Sequence, residues 1–204
     1  HVPTVTELKQ ILQHGGVKER AMLLVLASSG IRIGEALEIT LNDVELYDSK
    51  GNLQSPGKIT IRQQVSKNDT PRITFLSNEA RDALIEWLRI RDDYLKKVNE
   101  DLKRRKQKLR VNDNRVFPFA WATAWQMWYR LLRKSGFDKK DESTNRYVVH
   151  IHTLRKFMIN RLKGVVRIDA VEQLVGHEGY LSRAYRDLTE ETLKEEYKKG
   201  MHTV

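Results

Sequence analysis

The sequence contains no cysteine, which excludes disulfides, thiolate chemistry and cysteine-ligated zinc. Histidine, aspartate and glutamate remain available as metal ligands. Long apolar runs are missing too. The longest, Ala21-Met-Leu-Leu-Val-Leu-Ala27, is about a third of the ~20 residues that a helical bilayer crossing needs. No charged, apolar and small-residue succession opens the chain as a secretory signal would, so the expected setting is intracellular, cytoplasmic or nucleoid-associated. Low-complexity tracts and internal repeats are absent. The chain opens on His1 rather than Met and so reads as a fragment or processed piece. Acidic residues are outnumbered, 27 against 37 Lys and Arg, for a formal net charge of +10. A polyanion is the natural partner of such a chain, either nucleic acid or an anionic membrane surface.

What is present describes a folded protein. A hydrophobic share of 40% beside a charged share of 31% is the balance of a globular chain and not of a disordered tail. At 204 residues there is room for one large domain with a sizeable core. A helical pattern runs from Thr4 to about Ser29, with Thr4 or Thr6 as cap, and ends at Gly30. Ile31 to Ile39 reads as a short helix that places Arg32 and Glu35 on one side. Residues 48–57 read as a loop. Strands follow at Lys58 to Val65 and Arg72 to Leu76, joined by a hairpin tip at Lys67-Asn-Asp-Thr70. Asn78 caps a long helical stretch toward Arg110 that ought to break before its end. Its basic run Lys103 to Arg110 suggests an insert near residues 91–115 that either touches phosphate or forms a solvated end. Trp121, Trp125 and Trp128 recur at helical spacing, chiefly as a core stripe, with a base-stacking platform as the alternative. Helices at Thr153 to Lys163, Asp169 to Val175 and 189–199 complete a mainly α chain with a small antiparallel β-sheet, an α+β fold.

Several polar groups recur in a particular order. Arg32 follows a glycine turn in Ser29-Gly-Ile-Arg-Ile-Gly-Glu-Ala-Leu37, Lys67 lies at the hairpin tip, and His152-Thr-Leu-Arg155 holds an i, i+3 pair. Leu174-Val-Gly-His177 comes next, and Tyr185 eight residues later. This order resembles the tyrosine recombinase family, the lambda-type phage integrases and their site-specific relatives. The resemblance spans nearly the whole chain and matches the family's catalytic domain, including Asn42-Asp43-Val44 and Val116-Phe-Pro118. It implies a catalytic set of Arg32, Lys67, His152, Arg155, His177 and the nucleophile Tyr185, with Glu35 supporting Arg32. Two departures stand out. The interval from His177 to Tyr185 is about one residue short, with Tyr180 as competitor, and an extra loop before the hairpin leaves Lys58 as an alternative to Lys67. Arg183 and Arg186 flank the tyrosine as phosphate contacts or solvated charges.

The residue types suit that chemistry. A phosphodiester attacked by a phenol passes through a phosphorane whose negative oxygens two guanidinium forks hold in fixed geometry. Arg32 and Arg155 would take this role, His152 would take the phenolic proton or bind the same phosphate, and Lys67 would protonate the leaving 5′-oxygen. The resemblance implies no cofactor and no metal, double-stranded DNA as substrate, and a tetramer on DNA joined through the C-terminal helix. It also implies an N-terminal helical half of a DNA clamp that these residues do not contain. Two other readings stay open: a type IB topoisomerase, and a non-catalytic architectural DNA-binding protein.

Overall fold

Thr4 opens the first helix, Val5–Gln13 (α1), by a reciprocal cap: its hydroxyl accepts from the Glu7 amide at 3.2 Å while the Glu7 carboxylate accepts from the Thr4 amide at 2.6 Å. In the computed structural model, which describes residues 1–66, 70–176 and 188–204, the first helical pattern is two helices and not one. Gly15 and Gly16, poor helix formers, separate α1 from Val17–Ser29 (α2). Periodicity alone carries across that break. Every residue of α2 from Ala21 to Ser29 is buried, so the longest apolar run of the sequence is the central helix of the core. Around it pack the short helix Ile33–Glu38 (α3), a three-stranded sheet and the later helices.

The sheet is antiparallel, in the order Val44–Tyr47 (β1), Leu53–Ile61 (β2) and Arg72–Leu76 (β3). Its second strand begins earlier than the composition of residues 48–57 suggests. The Asp48 carboxylate accepts from the amides of Lys50 and Asn52, both at 2.8 Å, which completes the turn and lets Leu53 pair with Tyr47. The same strand stops at Ile61, which pairs with Arg72, while β3 has the expected bounds. β3 packs against α2 and against Ile168–Val175 (α7), and this brings Arg72 inside the domain.

The long helix Asn78–Arg104 (α4) is capped by the Ser77 hydroxyl, which accepts from the Ala80 amide, one residue before the expected cap. Its 27 residues span about 40 Å. The helix ends within the basic run, and the chain returns along it: Trp87 Nε1 donates to Val116 O at 2.8 Å and Arg91 Nε to Arg115 O at 2.7 Å. Phe117 and Phe119 close this return against Trp87 and Tyr94. In the helix Trp121–Ser135 (α5) the tryptophan stripe is graded. Trp128 is fully buried, Trp125 half-buried and Trp121 52% exposed, because the N-terminal turn of α5 overhangs the core.

Thr153–Leu162 (α6), α7 and Glu190–Gly200 (α8) enclose a second apolar cluster around Phe75, Met158, Leu162, Leu174, Leu193 and Tyr197. The C-terminal helix α8 therefore packs on its own chain. Tyr197 is fully buried and its hydroxyl donates to Ser28 O at 3.0 Å, while Lys58 on β2 pairs with Glu190 at 3.0 Å. No helix among the described residues is long and apolar enough to cross a membrane.

Candidate active site

The loop after α2 delivers the first candidate. Arg32 is the N-cap of α3, and Glu35, three residues on, reaches back to accept from the Arg32 amide at 2.7 Å and from its Nη1 at 3.0 Å. Glu35 is 2% exposed, and a lone carboxylate there would be costly. The counter-charge comes from a residue that the sequence does not single out. Arg72, at the start of β3, forks onto the same carboxylate with Nη1 to Oε1 at 3.1 Å and Nη2 to Oε2 at 2.6 Å. Burial pushes the Glu35 carboxyl up, but the Arg72 hydrogen bond and charge and the Arg32 contacts outweigh it, and the net shift is downward.

Arg155, on the first turn of α6, joins this cluster from the other side. Its Nη1 donates to Gly30 O at 2.6 Å and its Nη2 to Val175 O, so one guanidinium caps the C-terminal ends of both α2 and α7. Arg72 Nε adds a third such bond, to Leu174 O at 3.2 Å. Burial first, then Arg32 and Arg72, push the Arg155 guanidinium down to about 10, with Glu35 opposing, and it stays charged at neutral pH. Three guanidinium groups against one carboxylate leave the cluster cationic, which suits a site for an oxyanion. The Arg32 side chain is 22% exposed, so this cation is open to a ligand from outside, whereas Arg155 is buried.

His152 is the N-cap of α6 and lies exposed at the rim. Burial first, then Arg155, His150, Lys156 and Arg32, hold its imidazole below the ordinary 6.5, so it is neutral at pH 7. The i, i+3 spacing thus sets Arg155 inside and His152 at the mouth. Lys58 is committed elsewhere, bound to Glu45 at 2.8 Å as well as Glu190, and those carboxylates raise its pKa against the effect of burial. Lys67, His177, Tyr180, Arg183, Tyr185 and Arg186 lie outside the described residues. Tyr197 is no substitute nucleophile: burial raises its pKa and Ser28 holds its hydroxyl. Among the described residues no group of histidine, aspartate and glutamate is arranged to hold a metal ion.

Gly176 is the C-cap of α7, at φ +65°, and is the residue before His177 in the sequence. A Cβ there would stand 2.8 Å from Arg72 Cδ, and Arg72 is pinned at its far end by Glu35 and Leu174 O. Gly176→Ala should therefore exceed the ~1–2 kcal/mol of left-handed strain alone. Gly51→Ala, at φ +82° with no neighbour within 4 Å, is the control that carries only the strain. Urea unfolding of the two variants measures the difference.

Because the Glu35 pKa is lower in the folded chain than its ordinary 4.5, the unfolded chain binds the proton first as pH falls. The stabilisation from this carboxylate is complete above about pH 5 and drains away as pH drops through and below 4.5. Urea midpoints measured from pH 6 to pH 3 should fall more steeply for the parent chain than for Glu35→Gln.

The fold sets a cationic arginine cluster around one buried carboxylate, where the ends of α2 and α7 meet α6 and β3. Residues 3–191 match the phage integrase family, and the chain belongs to that family. It is similar to tyrosine recombinase XerD of Corynebacterium glutamicum, with 25% identity over 188 residues, covering 91% of this chain and 53% of the relative. Among solved structures it resembles XerA recombinase, with a TM-score of 0.63 and 24% identity over 97% of this chain and 62% of that one. The XerH site-specific recombinase bound to difH substrate, in a pre-cleavage complex, matches with a TM-score of 0.60 and 19% identity, covering 90% of this chain and 49% of that one. The chain spans about half the length of the curated relatives it matches.

Proposed function

We propose that this chain is the catalytic part of a site-specific DNA recombinase that cuts and rejoins strands through a tyrosine. The observation that carries the proposal is the convergence of Arg32, Arg72 and Arg155 on Glu35 and on the end of α7, directly before His177 in the sequence. Family membership and the XerH complex with difH substrate support it.

In the proposed reaction the Tyr185 oxygen attacks the phosphorus and the bond to the 5′-oxygen breaks. Unaided, only about 0.1% of a phenol of pKa ~10 is ionised at pH 7. His152, neutral because burial and its cationic neighbours hold its pKa down, is able to accept the phenolic proton. Arg32 and Arg155 bind the two non-bridging oxygens. Among the described residues Arg155 gives two of its five N–H donors to backbone carbonyls. Lys67 gives a proton to the departing 5′-oxygen, and His177 adds a donor to the phosphate. The product is a 3′-phosphotyrosyl link that keeps the bond energy for rejoining. The guanidinium groups supply the charge, so the reaction is expected to proceed in EDTA.

Double-stranded DNA is the proposed partner, with four copies of the chain assembled through the C-terminal helix. Exchange of α8 between copies would break Tyr197 to Ser28 and Lys58 to Glu190, whereas docking through its exposed face would keep both. The test is a nicked duplex substrate whose cleaved fragment diffuses away. A covalent protein–DNA band on a denaturing gel, lost in Tyr185→Phe and kept in Tyr180→Phe, supports the proposal, and its absence from the parent chain with its own site opposes it.

A further inference from the structure

Beyond the arginine cluster, the described residues carry a run of aromatic rings. Trp121, Trp125, Tyr129 and Tyr147 follow one another with centroid separations of 6.2, 5.5 and 4.7 Å, the last two pairs stacked at 29°. The first three lie at i, i+4 and i+8 on α5. Tyr147 comes from a small hairpin closed by the Lys140–Tyr147 bridge and braced by Asp141, whose carboxylate accepts from Ser143 and Thr144. Between α5 and this hairpin opens a cleft of about 510 Å³, lined by Trp125, Tyr129, Lys140, Arg146, Tyr147 and His150. Lys140 Nζ stands 5.4 Å over the Tyr147 ring.

One lining residue of the cleft, His150, adjoins the active-site rim. The His150 ring stacks on that of His152 at 6.3 Å and 16°, and His152 is the rim residue of the arginine cluster. A half-exposed aromatic wall beside two cations matches a nucleotide, with a ring face to stack on and a phosphate to pair. Within a duplex the base faces are already stacked on one another, so an aromatic wall favours an unpaired base.

We propose that this cleft binds an unpaired deoxynucleotide of the DNA strand cut at the neighbouring cluster. The inference rests on the recombinase reading, in which the cleaved strand must leave its complement before it is rejoined elsewhere. The base packs against the aromatic row at Trp125, Lys140 and Arg146 hold its phosphates, and His150 stands on the side toward the scissile bond.

The test is fluorescence anisotropy of a labelled oligothymidylate about a dozen nucleotides long, beside a labelled blunt duplex, on the full chain. Trp125→Ala should weaken single-strand binding about tenfold, with Trp125→Phe near parental and duplex binding changed less than about twofold. The double variant Lys140→Ala/Arg146→Ala, on an exposed hairpin, should flatten the salt dependence of single-strand binding by about 0.7 in slope for each phosphate that is no longer neutralised. Unchanged single-strand affinity in both variants overturns the proposal, as does an equal loss on duplex and single strand. Covalent adduct formation on the nicked duplex is read separately. Its failure in the parent chain would count against the recombinase reading while the single-strand titration still decides the cleft.

Discussion

Arg72→Met should lower the stability of this chain by about 3–5 kcal/mol and abolish DNA cleavage, although nothing in the sequence makes Arg72 conspicuous. Removing one partner of a buried ion pair leaves the other charge undercompensated, and here Glu35, at 2% exposure, would keep its Arg32 contacts but lose its bidentate partner. The bond from Arg72 to Leu174 O at the end of α7 would go as well. Cleavage should fail because Arg32 is positioned through Glu35, and without the fork that carboxylate loses its tie to β3 and no longer anchors Arg32 to the core. A double variant, Arg72→Met with Glu35→Gln, separates the two effects. Stability should return in large part, because no buried charge is left unpaired, while cleavage should stay lost. Urea unfolding and the adduct assay on the same preparations test both halves.

Arg155→Lys is the second variant with a large expected effect, a fall of about 10²–10³-fold in adduct formation with DNA binding largely kept. Lysine preserves the charge and loses the planar fork. One guanidinium now spans Gly30 O and Val175 O, tying α2 to α7, and no ammonium reaches two carbonyls and a phosphate in that fixed geometry. Single-turnover adduct formation beside electrophoretic binding distinguishes loss of chemistry from loss of affinity. Equal loss in both would place Arg155 in binding alone.

Much of this arrangement is legible in the chain, because motif and spacing report on local geometry. Arg32 and Glu35 sit three residues apart at a helix start, and the structure joins them through the amide and the guanidinium. Arg155 follows from its own helix, although the reason for its burial, two helix ends that need a cap, is tertiary. Arg72 escapes sequence reasoning because a single arginine opening a strand looks like an edge charge. Its burial depends on β3 being covered by α2 and α7, which no local pattern states. The sequence offers only an indirect hint: Glu35, among Ile33, Ala36 and Leu37, needs a counter-charge, but no local pattern says which cation supplies it. The break at Gly15 and Gly16 is hidden by an apolar period that happens to carry through it. The tryptophan stripe is legible as a stripe, but periodicity gives a face and not a depth, so the exposure of Trp121 against the burial of Trp128 comes only with the fold.

The claim that most needs a direct test is that the arginine cluster serves a tyrosine nucleophile. The measurement is covalent capture on a nicked duplex in EDTA, with the parent chain, Tyr185→Phe and Tyr180→Phe run side by side, followed by peptide mapping of the DNA-linked residue. The expected result is a band in the parent and in Tyr180→Phe, none in Tyr185→Phe, and a DNA link mapped to Tyr185. A band that survives Tyr185→Phe, or none from the parent on its own site even when joined to an N-terminal DNA-binding domain, would contradict it and favour a DNA-binding protein without strand chemistry.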